Sequence, residues 1–196
     1  VSVLVPALLL AGAYLLGAVP FGLLLTRRFA GVDVRQVGSG NIGATNVARA
    51  AGKGVGILVL LLDAAKALLP VLLVRALFPS DAPLQAAVGV AAVVGHVFPI
   101  YLHFAGGKGV ASGMGALLGL CPLAVVGGAV AFLLCYLPAR VVSVGSLVGA
   151  AVTVALSFAL GYPLPHALAA TAIAVLIVLR HRSNIARLLQ RRERRL

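Results

Sequence analysis

Apolar residues run through this chain in blocks about as long as a bilayer is thick. They cover about Val3 to Leu25, Val55 to Phe78, Leu84 to His103, Val110 to Leu137, Val144 to Leu160 and His166 to Leu179. A helix needs about 20 such residues to cross the hydrocarbon core. Of the 196 residues, 62% are hydrophobic and 10% charged, whereas a soluble domain carries about 25% charged residues. Too little charge is left to solvate a surface of this size, so the surface must be lipid. The runs are continuous rather than alternating, which argues against a barrel. The expected class is an all-α, polytopic integral membrane protein, a single domain over residues 1–196.

The stretch from Val110 to Leu137 is too long for one span. Cys121-Pro122 in its middle reads as a break, with the proline in the first turn of a second helix. With that split there are seven spans. The first has no basic residue before it and Arg27-Arg28 after it, so it reads as a span with its N-terminus outside and not as a cleaved leader. This threading puts every Lys and Arg on the cytoplasmic side except Arg75 and Lys66. A six-span threading would move the Arg-rich tail outside and lose that bias, so the C-terminus is expected to be cytoplasmic. The tail, 185–196, reads as a short basic amphipathic helix against anionic headgroups, or as a plain topology anchor. The net charge of +12 gathers at span ends, so it reads as topology and lipid attraction, not nucleic-acid binding.

Three polar islands interrupt the apolar chain, and all three fall on the cytoplasmic side. The first is Gly38-Ser39-Gly40-Asn41-Ile42-Gly43-Ala44-Thr45-Asn46 with Arg49. Its G-x-G-x-x-G spacing is weak evidence for a dinucleotide fold, and the chain has no room for the parallel sheet such a fold needs. The glycines would still let backbone N–H groups turn toward an anion. Ser39, Asn41, Thr45 and Asn46 add neutral donors, and Arg49 a bidentate fork suited to phosphate. The second island, Gly106-Gly107-Lys108-Gly109, lacks the rest of a P-loop but opens a helix, with Lys108 as a point charge at its N-terminal end. The third is Arg180-His181-Arg182-Ser183-Asn184, where His181 and Asn184 share one helical face. Ser143 and Ser146 share the same spacing just past Arg140, although serines in spans also hold helices together.

Other polar residues read as support. Asp63 and Lys66, at i and i+3 within a span, can neutralise each other beneath the site. His96 can be a site or a scaffold residue. Cys121 and Cys135 lie in apolar runs without metal-ligand spacing, and no metal site or cofactor is expected. The carboxylates are Asp33, Asp63, Asp81 and Glu193, and Asp33 is the one expected near the islands. There is no His-x4-Asp dyad, no evident Ser-His-Asp set and no Cys-His pair near the islands, which leaves positioning and charge stabilisation to do most of the work.

The blocks Gly38 to Asn46 with Arg49, Asp63-Ala-Ala-Lys66, Gly95-His-Val-Phe-Pro99 leading to Gly106-Gly-Lys-Gly-Val-Ala111, and Arg180-His-Arg-Ser-Asn-Ile185 resemble, in order, the signature blocks of the PlsY family, the bacterial acyl-phosphate:glycerol-3-phosphate acyltransferases. The resemblance implies a seven-helix enzyme of the bacterial inner membrane with its site at the cytoplasmic face. It implies transfer of a fatty acyl group from acyl phosphate to the 1-hydroxyl of sn-glycerol 3-phosphate, giving lysophosphatidic acid and phosphate, with membrane lipid as the remaining partner. The family's functional residues fall on Ser39, Arg49, Lys108, Ser146, His181 and Asn184, with Ser143 an alternative to Ser146. Gly38, Gly40, Asn41, Thr45, Asn46 and Gly107 complete the expected substrate-binding set. The rival reading is a carrier of phosphate or a phosphate ester, which should place its cations near the bilayer midplane.

Overall fold

The computed structural model describes residues 3–193. Among these, ten α-helices follow one another: α1 Leu4–Ala18, α2 Phe21–Ala30, α3 Ala44–Ala51, α4 Lys53–Leu77, α5 Ala82–Val97, α6 Val110–Leu120, α7 Pro122–Ala139, α8 Val142–Ala159, α9 Leu164–Arg180 and α10 Arg182–Leu189. The last three residues of the expected tail, 194–196, lie outside the described residues.

Five segments are long and apolar enough to cross a membrane: Leu4–Ala30, Lys53–Leu77, Ala82–Leu102, Pro122–Ala139 and Val142–Ala159. The pair α9 and α10, bent by 58°, counts as a sixth only when the two helices are taken as one span. The expected break at Cys121 is present, with Pro122 in the first turn of α7. It leaves α6 with 11 residues, about 16 Å at the usual helical rise, short of the hydrocarbon thickness. Side chains such as Leu123, Leu134, Leu168 and Leu61 are well exposed on the outside of the bundle, as a lipid-facing surface requires.

The first apolar run is a candidate span, as expected, but it is not one continuous helix: it stops at Ala18 and restarts at Phe21. Pro20 has no N–H to continue the ladder, and its ring crowds the preceding turn. The tail is not one amphipathic helix either. Helix α10 ends at Leu189, and Arg191 takes a left-handed conformation that turns the chain back toward the bundle.

In the core, α1 packs on α5, α4 on α6, and α7 on α8. Small residues permit these approaches. A Cβ on Gly95 of α5 would sit 2.1 Å from the Tyr14 carbonyl oxygen of α1, and one on Gly17 would sit 2.0 Å from that of Ala92. The two backbones therefore touch without intervening side chains, as small-residue crossings do in lipid. Lys66 of α4 ties this pair to the break in the first span. It donates to the Val19 carbonyl at 2.7 Å, and its ammonium lies 2.7 Å from the Asp63 carboxylate.

Gly95→Ala should force α1 and α5 apart, lowering stability by about 1–3 kcal/mol. Gly12→Ala, where nothing lies within 4 Å of the added methyl, should leave the melting temperature in detergent unchanged. Equal melting temperatures for the two variants would contradict this packing.

Candidate active site

Asp33 starts the wall of the site. Its carboxylate accepts from the Arg35 backbone N–H at 3.0 Å and so caps the short 3₁₀ turn Val34–Gln36. The following loop is held by Asn46, which lies buried on α3. Asn46 Oδ1 accepts from the Ser39 N–H at 3.0 Å. Its Nδ2 lies 3.1, 2.9 and 2.9 Å from the carbonyl oxygens of Val34, Val37 and Asn41. Asn41 in turn uses its side chain to accept from the Gly43 N–H at 2.8 Å.

The second loop begins where α5 ends. Gly107 N–H donates to the His96 carbonyl at 3.1 Å. The His96 ring sits where a Gly107 side chain would be, its Nε2 only 2.1 Å from an ideal Cβ position. On the other side of that ring, Nδ1 lies 3.6 Å from Asp63 Oδ1. Arg180, at the end of α9, donates to the Gly107 and Gly106 carbonyls at 3.2 and 2.9 Å and lies over the Phe98 ring. His96, Asp63, Lys66 and Arg180 thus form a floor that holds the glycine loop in place.

The third segment bends at His181, between α9 and α10. His181 is buried, and its Nδ1 donates to the Ile177 carbonyl at 2.8 Å. That assigns the proton to Nδ1 and leaves Nε2 as the unprotonated ring nitrogen. One turn on, Asn184 accepts at Oδ1 from Lys108 Nζ at 2.5 Å and donates through Nδ2 to Glu193. Glu193 also accepts from Ser143 Oγ at 3.1 Å and from Arg187 Nε at 2.7 Å. Asp33 is therefore not the one carboxylate near the islands. Glu193 folds back into them from the tail.

The three islands meet around one polar cavity of about 590 Å³ at an end of the bundle. Ser39, Gly38, Gly40, Asn41, Gly106 and Lys108 line it, together with Arg35, Arg180, Arg182, Ser183 and Arg187. Of the other expected site residues, Gly107 sits on the floor. Asn184 and Ser143 are buried in the hydrogen-bond network around Glu193. Arg49, exposed on α3, is off the wall, but its charge is felt at Lys108. Thr45 lies in the first turn of α3, away from the lining. Ser146 points elsewhere: its hydroxyl donates to the Val142 carbonyl at 2.9 Å, and it lines a second, apolar cavity of about 220 Å³ between α6, α7, α8 and α9.

Part of the expected cradle of backbone N–H groups is used within the loops: those of Ser39, Gly40, Gly43 and Gly107 are taken up there. Full charge in the cavity comes from side chains. Burial pushes the Lys108 ammonium down to about 8, the charges of Arg187, Arg49 and Arg180 push the same way, and Glu193 opposes them. Burial pushes the Glu193 carboxyl up, but hydrogen bonds from Asn184, Arg187 and Ser143 outweigh it and hold the group below its usual range.

A family model described as glycerol-3-phosphate acyltransferase matches residues 7–191. The chain belongs to the glycerol-3-phosphate acyltransferase family. It is 52% identical to the glycerol-3-phosphate acyltransferase of Anaeromyxobacter dehalogenans (strain 2CP-C), covering 98% of both chains. It is 47% identical to that of Myxococcus xanthus (strain DK1622), covering 96% of this chain and 98% of the other. Its fold is similar to the crystal structure of PlsY, an integral membrane glycerol 3-phosphate acyltransferase, in a glycerol 3-phosphate form, with TM-score 0.93 and 40% identity over 97% of this chain and 95% of that one. The lysophosphatidic acid form matches with TM-score 0.91 and 39% identity over the same shares. Membership of this family bears out the helical membrane class and the acyltransferase resemblance.

Removing the Asn46 amide would orphan the buried loop groups it joins. Asn46→Ala should cost about 1–3 kcal/mol and lower activity because the Ser39 loop loses its shape. A variant with wild-type melting temperature and rate would show that Asn46 does not hold the loop.

Proposed function

We propose that this chain transfers a fatty acyl group from acyl phosphate to the 1-hydroxyl of sn-glycerol 3-phosphate, at the cytoplasmic face of the bacterial inner membrane. The carrying observation is the pairing of two unlike cavities. The polar one is ringed by cations and the apolar one lies between helices, and the walls pass from one to the other within two residues, at Lys108 to Val110 and at Leu179 to Ile177. An amphiphile with an oily tail and a phosphate head fits across that boundary, and a second, water-soluble phosphate fits the rest of the polar cavity. The solved PlsY structures in glycerol 3-phosphate and lysophosphatidic acid forms support the same pairing.

In this reading the donor's tail lies along Leu117, Phe132 and Gly149, and its phosphate lies beside Lys108, Ser143 and Asn184. The acceptor lies against Ser39, Gly40 and Asn41, with the charge of Arg49 close by. Its C1 oxygen bonds to the acyl carbonyl carbon, and the bond from that carbon to the bridging phosphate oxygen breaks. The hydroxyl proton passes to a phosphate oxygen, and inorganic phosphate leaves with the electron pair. The products are lysophosphatidic acid and phosphate. Acyl phosphate is already activated, so no nucleophilic side chain is required. Lys108 offsets charge on the departing phosphate, while His181, its Nδ1 proton held by the Ile177 carbonyl, fixes the bend that presents Asn184. The carrier reading gains no support, because the cations ring the ends of helices and not their middles.

Purified protein in lipid, given acyl phosphate and labelled glycerol 3-phosphate, should form labelled lysophosphatidic acid. Lys108→Ala and Arg49→Ala should each cut the rate by about 100-fold or more while the protein stays folded. Near-normal rates in both would reject this site.

The depressed Lys108 pKa gives a pH signature. The cation is present below about 8 and is lost as pH rises through that value, so kcat/KM should fall on the alkaline side of it. In Lys108→Arg the side chain stays charged throughout, and any residual activity should lack that fall. An unchanged alkaline limb in the variant would assign the titration to another group.

A further inference from the structure

His166 lies at the far end of the bundle from the polar cavity, buried in the first turn of α9. Its Nε2 is 3.1 Å from Oε1 of Gln85, in the first turn of α5. Gln85 Nε2 donates to the Phe78 and Pro79 carbonyls at 2.9 and 3.1 Å. Both amide hydrogens are thereby used, so Oε1 must accept and the His166 proton sits on Nε2. That leaves Nδ1 unprotonated, and it is buried without a hydrogen-bond partner among the described residues. The Leu120 carbonyl, at the end of α6, is the acceptor beside the ring, and Arg75 of α4 is the charged group that faces it. Arg75 itself donates to the neighbouring Gly119 carbonyl.

The three helices that meet at this ring are those whose other ends carry the site. Helix α5 leads into the Gly106 to Gly109 loop, α6 starts just after Lys108, and α9 ends at Arg180 and the His181 bend. A neutral ring suits the junction, because it needs one acceptor and Gln85 supplies it. A second proton, on Nδ1, would add a cation to a buried place that already faces Arg75, with one carbonyl to answer it. No counter-charge is at hand. Asp81 is committed to the Leu84 N–H at 2.9 Å, Tyr162 accepts from the Leu123 N–H at 3.0 Å, and Cys121 is a buried thiol.

We propose that His166 is a proton-sensitive clamp at the far end of the bundle. Neutral, it fastens α5, α6 and α9 together. Protonated, it loosens them, and the loosening reaches the site through the same three helices. The neutral ring belongs to the folded state. Its stabilisation is therefore full above the ordinary imidazole value of about 6.5 and is lost as pH falls below it.

Thermal unfolding in detergent, which needs no turnover, tests the clamp. The wild-type melting temperature should fall by about 3 °C or more between pH 7.5 and 5.5. His166→Gln keeps an N–H for Gln85 Oε1 but gains no charge, and should lose at least about half of that fall, the rest belonging to groups such as His181. Arg75→Gln removes the facing charge and should also shrink the fall. The reach to the site is read in vesicles. Glycerol 3-phosphate added outside, where lipid stops its entry, reads only copies whose polar cavity faces the bath. The His166 end of those copies faces the lumen. With the bath held at pH 7.5, lowering the lumen from 7.5 to 5.5 should slow the wild type about twofold or more and leave His166→Gln unchanged. The same fall in melting temperature in wild type and His166→Gln, or a wild-type rate indifferent to lumen pH, would overturn the proposal. The vesicle readout rests on the acyltransfer reading. If the wild type formed no product at any pH, that reading would fall, and the melting temperatures would still decide the clamp.

Discussion

A helix that stops inside a bilayer leaves carbonyl groups with no water to turn to, and each one left unpaired costs several kcal/mol. Much of this structure follows from how those groups are met. Lys66 donates to Val19 where the first apolar run breaks. Arg75 donates to Gly119 near the end of α6. Gln85 donates to Phe78 and Pro79 between α4 and α5, and Arg180 donates to Gly106 and Gly107. Polar side chains are scarce in this chain, and these are set where the backbone needs them. Lys66 needs a partner of its own, and Asp63 supplies it at 2.7 Å.

The same constraint shapes the site. Loops that enter the polar end of the bundle hold several of their own N–H groups internally, through Asn46 and Asn41 in one loop and the His96 carbonyl in the other. Recognition passes to cationic side chains on three separate segments. That is why residues as distant in sequence as Lys108 and Asn184 end in direct contact.

Hydropathy made the spans legible, because the energy of burying apolar side chains in lipid depends on composition and hardly at all on partners. Proline was a less consistent guide. Pro122 starts a helix and Pro20 separates two, but Pro70 and Pro138 sit inside helices. Whether a proline breaks or only bends a helix depends on the packing around it, and sequence does not show neighbours. The islands were legible as glycine, hydroxyl and cation clusters, and they do converge. The direction of their side chains was not. Asn46 reads as a donor for substrate but faces the loop. Ser143, not Ser146, has its hydroxyl in the polar network. Arg35 was counted as a topology charge. Glu193 was hidden among arginines: a tail so basic reads as a lipid anchor, and its one carboxylate gives no periodic signal of folding back 50 residues to Ser143.

That carboxylate bears on why the cluster is tolerable at all. Lys108, Arg187, Arg49 and Arg180 crowd a part-buried site, and their mutual repulsion helps lower the Lys108 pKa. Glu193 opposes it from the far side of Asn184, holding one negative charge among the cations. One carboxylate offsets only part of that charge, and the remainder favours phosphate groups of the kind the proposed reaction brings in and forms. A site built this way gains most from whichever state carries the most anionic charge on its phosphates. In the proposed transfer that state lies toward the departing phosphate, so the residues that bind the substrates also favour the chemical step.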